Sequence, residues 1–93
     1  MRLEKFEIEA IKSTIREFDS NAEVFLFGSR IDDTKKGGDI DVLVISGKIG
    51  LSEKIKIKIK LYNRIGERKI DIITTPAINS AFLNFIYDEA VQI

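Results

Sequence analysis

Two aspartates one residue apart, Asp39 and Asp41, are the residues of this sequence best suited to chemistry. They open an apolar run that ends at Ile45, and the alternation of a β-strand puts both carboxylates on one face, roughly 6.6 Å apart along the strand. Carboxylates at this spacing can bracket one or two Mg²⁺ ions. A solvent-facing pair at the start of a strand is the alternative, but a carboxylate among apolar residues usually needs a cation as its partner.

A third carboxylate, Asp71, lies inside a later apolar run. If its strand neighbours that of Asp39 and Asp41, the three carboxylates converge. One of them could then be shared by two metal ions or act as a general base on an incoming hydroxyl. A salt bridge from Asp71 to Arg68 or Lys69, or an exposed strand face, is the alternative interpretation.

A Gly-Ser pair, Gly28 and Ser29, follows the first apolar run. A glycine before a short helix lets a phosphate approach the backbone, and the helix N-terminus and the serine hydroxyl can donate hydrogen bonds to it. Arg30 and the two lysines at 35–36 could neutralise further phosphate charge, although such a pair is often only a turn and a charged loop. Together with the aspartates, this segment indicates nucleotide chemistry.

The composition limits which mechanisms are open to the chain. Its 93 residues predict one domain, 1–93, with no room for a second substrate-binding lobe. There is no His or Cys, so catalysis would rest on carboxylates, hydroxyls, Lys, Arg and a hard metal ion. Fifteen basic residues balance fifteen acidic ones, which gives no global field favouring nucleic acid or membrane. With no signal peptide or spanning segment, we expect a cytoplasmic protein.

Hydrophobic periodicity and turn residues predict an α/β domain in which a small three-stranded sheet is packed by helices. The predicted helices are 3–19, a short one at 30–33, 51–66 and 77–90, and the predicted strands are 23–27, 39–45 and 69–74.

The segment 51–66 fits two local structures. Lysine and isoleucine alternate over 54–61, which is typical of an exposed edge strand. The same segment has an apolar stripe at helical spacing, a candidate cap at Ser52 and a natural stop at Gly66. Its length and the need for a connection between strands favour the helix. The helical stripe consists of Leu51, Ile55, Ile59, Tyr62 and Ile65.

The segments LFGSR at 26–30 and GDIDVLV at 38–44, with nine residues between Ser29 and Asp39, resemble a known signature. It is that of the minimal nucleotidyltransferases of the DNA polymerase beta-like superfamily, in which a later strand carries a third carboxylate, as Asp71 does here. The resemblance covers the chain from the first helix to its end and implies that family's fold, a mixed sheet packed by helices.

The resemblance also implies roles for the residues. Asp39 and Asp41 would hold Mg²⁺, Asp71 would complete the metal site and help to activate the acceptor, and Gly28, Ser29 and Arg30 would hold the triphosphate. The reaction would transfer a nucleoside monophosphate, most simply AMP from ATP, to a hydroxyl. Such short members resemble the antitoxins of two-gene systems, whose partner is a helical HEPN-type toxin that can be the acceptor.

Other functions fit parts of the sequence. The chain could be a weakly active or inactive nucleotide-binding antitoxin that neutralises its partner by occlusion, because a fold does not secure an activity. Direct nucleic-acid binding through the lysines of 54–60 is not favoured, since alternate residues spread around a helix. The sequence leaves open whether the chain forms a homo-oligomer.

Overall fold

The computed structural model describes residues 4–27, 40–67 and 69–93. Within them lie three helices and four strands. In chain order these are α1 (Lys5–Phe18), β1 (Glu23–Phe27), β2 (Ile40–Ile45), α2 (Leu51–Ile65), β3 (Ile70–Thr75), α3 (Ala81–Glu89) and β4 (Val91–Gln92). None of the described helices is long and apolar enough to cross a membrane.

The strands form one mixed sheet in the order β3-β2-β1-β4. β2 and β3 are parallel, whereas β1 is antiparallel to both β2 and β4. A parallel pair needs a long crossover connection, and α2 supplies it between β2 and β3. The predicted α+β architecture of a small mixed sheet packed by helices is therefore confirmed.

The sheet separates two apolar clusters because successive side chains of each strand point to opposite faces. On one face, α1 and α2 pack against Val24, Leu26, Ile40, Val42 and their neighbours, with Ile11, Ile15, Ile57 and Leu61 contributed by the two helices. On the other face, α3 places Ile86 against Phe25 and Leu43. The odd-numbered residues of β2, Asp41 included, thus belong to the face that α3 covers.

Helix α2 confirms the helical interpretation of 51–66, but most of the apolar stripe noted in its sequence is not the side that the fold buries. Ile57 and Leu61 are fully buried. The predicted residues Leu51, Ile55, Ile59 and Tyr62 are 73%, 52%, 55% and 43% exposed. An isoleucine at every second position creates two i, i+4 pairs on different sides of a helix, and packing against α1 and the sheet selects the pair at 57 and 61. We call the four exposed residues the outer stripe.

The ends of α2 are fixed by local contacts. Its N-cap is Gly50, whose N–H donates to Oε1 of Glu53 at 2.8 Å, and not Ser52, which lies inside the helix. That hydrogen bond and one from the Ser52 hydroxyl lower the pKa of Glu53. Gly66 ends the helix as predicted, with a φ of 92° that favours glycine.

The end of the chain differs from the prediction, which had three strands and ended in a helix at 77–90. α3 starts at Ala81 and not near residue 77, because the Ser80 hydroxyl caps it by accepting from the N–H of Leu83 at 3.1 Å. The chain then pairs with β1 as β4, and the N–H of Ile93 donates to the carbonyl of Val24 at 3.0 Å. Two residues are too few for a recognisable strand pattern, which explains the missed fourth strand.

Candidate functional site

Two of the predicted carboxylates are brought together by the pairing of β2 with β3. Asp41 and Asp71 are register partners in this parallel pair and lie on the same face of the sheet. The N–H of Ile40 donates to the carbonyl of Lys69 at 2.8 Å, which fixes the start of the pairing. Neighbouring strands are about 4.8 Å apart, so one cation can contact both carboxylates. The sequence predicted that the carboxylates converge if their two strands are neighbours, and β2 and β3 are neighbours in the sheet.

The local sequence explains why aspartates are tolerated at these positions. Their neighbours Ile40, Val42, Ile70 and Ile72 point to the opposite face and are buried in the core. Asp41 and Asp71 are themselves half-buried. The apolar residues on one face of the sheet therefore hold the two strands in place. On the other face, the start of each strand carries a carboxylate that can act as an oxygen ligand.

An aromatic residue extends the carboxylate row across the sheet. Phe27 of β1 is the register partner of Asp41, so Phe27, Asp41 and Asp71 form one row over three strands. The next row, Phe25, Leu43 and Ile73, lies in the apolar cluster under α3. The carboxylates thus lie next to an apolar row on the same face of the sheet. Phe27 could not be predicted as a site residue from the sequence, because its position depends on the register of β1 against β2.

The remaining predicted site residues lie outside the described residues. These are Gly28, Ser29, Arg30 and Asp39. Across 4–27, 40–67 and 69–93 no group of three or more His, Cys, Asp or Glu side chains could hold a metal ion. Asp41 and Asp71 supply two hard oxygen ligands of the kind that Mg²⁺ prefers, and a full set would need Asp39, which directly precedes β2, or substrate oxygens.

A separate carboxylate at the other end of β2 has a structural role. The hydroxyl of Ser46 donates to Oδ2 of Asp19, and the N–H of Asn21 donates to Oδ1 at 3.0 Å. These hydrogen bonds lower the pKa of Asp19, and the one from Ser46 has the largest effect. The contact ties the end of α1 to the end of β2, away from the carboxylate row.

Comparison with protein families identifies the kind of domain that contains the carboxylate row. The family described as "Nucleotidyltransferase domain" matches residues 8–93, which is nearly the whole chain. The chain belongs to this family. Its general reaction is transfer of a nucleoside monophosphate from an NTP, and nucleotidyltransferase domains generally use divalent metal ions. No curated protein matches the chain. The range matched to this nucleotidyltransferase domain contains Asp41, Asp71 and the Gly28-Ser29 pair.

Proposed function

We propose that this nucleotidyltransferase transfers AMP from ATP to a hydroxyl of a partner protein, in a Mg²⁺-dependent reaction. The observation that carries the proposal is the in-register pair Asp41 and Asp71 on one face of the sheet, inside the range that the family match covers. Asp39, Asp41 and Asp71 would hold the metal ion. Bound Mg²⁺ would neutralise negative charge on the oxygens of the triphosphate, including those of the reacting α-phosphate.

The protein's own residues bind and orient the reactants in this proposal. Gly28, Ser29 and Arg30 hold the triphosphate through backbone N–H groups, a hydroxyl and a guanidinium. Asp71 takes the proton of the acceptor hydroxyl, whose oxygen forms a bond to the α-phosphorus while the bond from that phosphorus to the oxygen bridging the α- and β-phosphates breaks. Pyrophosphate leaves. Positioning and electrostatics dominate such reactions, so the lack of histidine is no obstacle.

The protein acceptor is supported by exposed aromatic residues on the same side of the sheet. Helix α3 lies on the face that carries Asp41 and Asp71, and its Phe82 and Phe85 are 65% and 67% exposed. A partner docked on these rings would lie on the face of the sheet that carries the carboxylate row. The resemblance to antitoxins of two-gene systems makes a cytoplasmic, HEPN-type helical toxin the proposed partner.

The test is label transfer from ATP to the purified partner. With α-labelled ATP and Mg²⁺ we expect label on the partner, and with γ-labelled ATP none, because pyrophosphate carries that label away. Asp41→Asn and Asp71→Asn should each lower transfer by roughly a hundredfold or more. Glu9→Gln, which changes an exposed residue of α1, should not lower it. Folded protein that neutralises the partner without transferring label would instead establish neutralisation by occlusion.

A further inference from the structure

The outer stripe of α2 is an apolar surface that the fold leaves uncovered. Its four side chains are 43–73% exposed, while the buried residues of the same helix, Ile57 and Leu61, already anchor α2 to the sheet. The stripe lies on the helix layer, on the face of the sheet opposite Asp41 and Asp71. It therefore plays no part in nucleotidyl transfer as proposed above.

Basic residues border the stripe on both sides. Lys54 and Lys58 follow Leu51 and Ile55 by three positions and so lie beside them on the helix surface. Lys56 precedes Ile59 by three positions on the other side. The helix has one acidic residue, Glu53, whose carboxylate accepts from the Gly50 N–H and the Ser52 hydroxyl at the helix start and also attracts the charge of Lys56.

The neighbouring surface of α1 does not reverse this charge pattern. Glu17 of α1 binds Nζ of Lys60 at 2.8 Å and Nη1 of Arg64 at 2.7 Å, on the side of α2 that faces α1. These contacts hold the two helices together and leave Lys54, Lys56 and Lys58 on the rows that flank the stripe. The surface is thus an apolar ridge between basic margins.

We infer that the outer stripe docks an amphipathic helix of a partner protein whose aliphatic ridge is flanked by aspartates and glutamates. Side chains at i, i+4, i+8 and i+11 match the spacing by which one helix lies along another. Four partly exposed side chains offer a few hundred Å² of apolar surface, which fits one helix and falls short of the roughly 800 Å² per partner that stable protein–protein interfaces bury.

Charge argues against two other occupants. A second copy docked through the same stripe would bring lysine rows against lysine rows, and like charges across an interface oppose association. A nucleic acid would satisfy the lysines but would leave the apolar ridge between them without a partner. An acidic amphipathic helix satisfies both the ridge and its margins.

Three synthetic helical peptides test the inference by fluorescence anisotropy. The first has a leucine ridge flanked by glutamates, the second has the same ridge flanked by lysines, and the third has serines in place of the leucines between the glutamates. We expect the first to bind roughly tenfold or more tightly than either of the others. Failure of the first peptide to bind, or equal binding of the third, would overturn the inference.

Variants locate the binding on α2. Ile55→Ser with Ile59→Ser should abolish binding of the glutamate-flanked peptide, and Lys54→Glu with Lys58→Glu should transfer the preference to the lysine-flanked one. Phe82→Ser with Phe85→Ser, which removes similarly exposed apolar side chains from α3, is the matched control and should leave binding of the glutamate-flanked peptide unchanged. Circular dichroism checks that each variant is folded.

Two further measurements distinguish the remaining occupants. Sedimentation should show a monomer whose mass does not depend on the outer stripe, and vesicles containing anionic lipid should not compete with the peptide. Self-association that Ile55→Ser with Ile59→Ser abolishes would replace the inference with a homodimer. Vesicle binding with the same dependence on that variant would replace it with a membrane surface.

Discussion

Asp41 of β2 and Asp71 of β3 face each other in register across a parallel strand pair, on one side of the sheet. Like charges directly opposite each other on neighbouring strands destabilise a sheet. Apolar neighbours on the opposite face hold both strands in place. A cation between them removes the repulsion, and stability should therefore respond to metal.

The first prediction concerns Mg²⁺ and thermal stability. Mg²⁺ should raise the melting temperature of the wild-type protein, because a ligand that binds the folded state alone stabilises it. Asp71→Asn should lose most of the Mg²⁺ response, because it removes one of the two oxygen ligands on these strands. Differential scanning calorimetry with and without Mg²⁺ measures both effects.

The control for this prediction is Glu9→Gln, which removes an exposed carboxylate from α1 and should keep the full Mg²⁺ response. An unchanged response in Asp71→Asn would show that the metal binds elsewhere.

The second prediction compares two isoleucines of α2. Ile57→Ala should cost about 2–5 kcal/mol of unfolding free energy, because Ile57 is fully buried and its loss leaves a cavity. Ile59→Ala, two residues away and 55% exposed, should change it by less than about 0.5 kcal/mol. Urea titration of both variants measures the difference, and equal losses would contradict the assignment of the core side of α2.

The sequence was sufficient for features that depend on local chemistry. It predicted α2 from segment length and the Gly66 stop, placed β1 at Glu23–Phe27, and put Asp41 with Leu43 on one face of β2, opposite Val42. The alternation of apolar and polar residues and the positions of turn and stop residues determine these features, so they can be predicted without the packed structure.

Features that depend on packing were beyond the sequence. The alternation of 54–61 contains two equivalent apolar pairs, and only contact with α1 and the sheet decides which one is buried. β4 exists because the end of the chain reaches an open edge of β1. The site shows the same division: the residue types at Asp41 and Asp71 indicated metal chemistry, but their register, and Phe27 beside them, followed from strand pairing.

The third prediction concerns the exposed rings of α3. Phe82→Ser with Phe85→Ser should lower AMP transfer to the partner by roughly tenfold or more, because exposed aromatic anchors contribute strongly to protein interfaces. ATP binding, measured by calorimetry, should not change. Phe6→Ser is the control, since Phe6 is 61% exposed on α1, in the helix layer on the other face of the sheet. Loss of transfer in this control alone would place the acceptor on the wrong face for the proposal.

The fourth prediction concerns the pH dependence of stability at the contact between Ser46 and Asp19. The hydroxyl of Ser46 lowers the pKa of Asp19 in the folded state, so the contact stabilises the fold above the unfolded-state pKa and is lost as the pH falls through the folded-state pKa. Ser46→Ala should therefore lower the melting temperature more at neutral pH than at an acid pH below the folded-state pKa of Asp19. Ser13→Ala, which removes an exposed hydroxyl bonded to the carbonyl of Ala10, should have an effect that does not vary with pH. Thermal melts of the three proteins at several pH values measure the effect, and a loss in Ser46→Ala that is the same at every pH would mean that the hydroxyl acts without the Asp19 carboxylate.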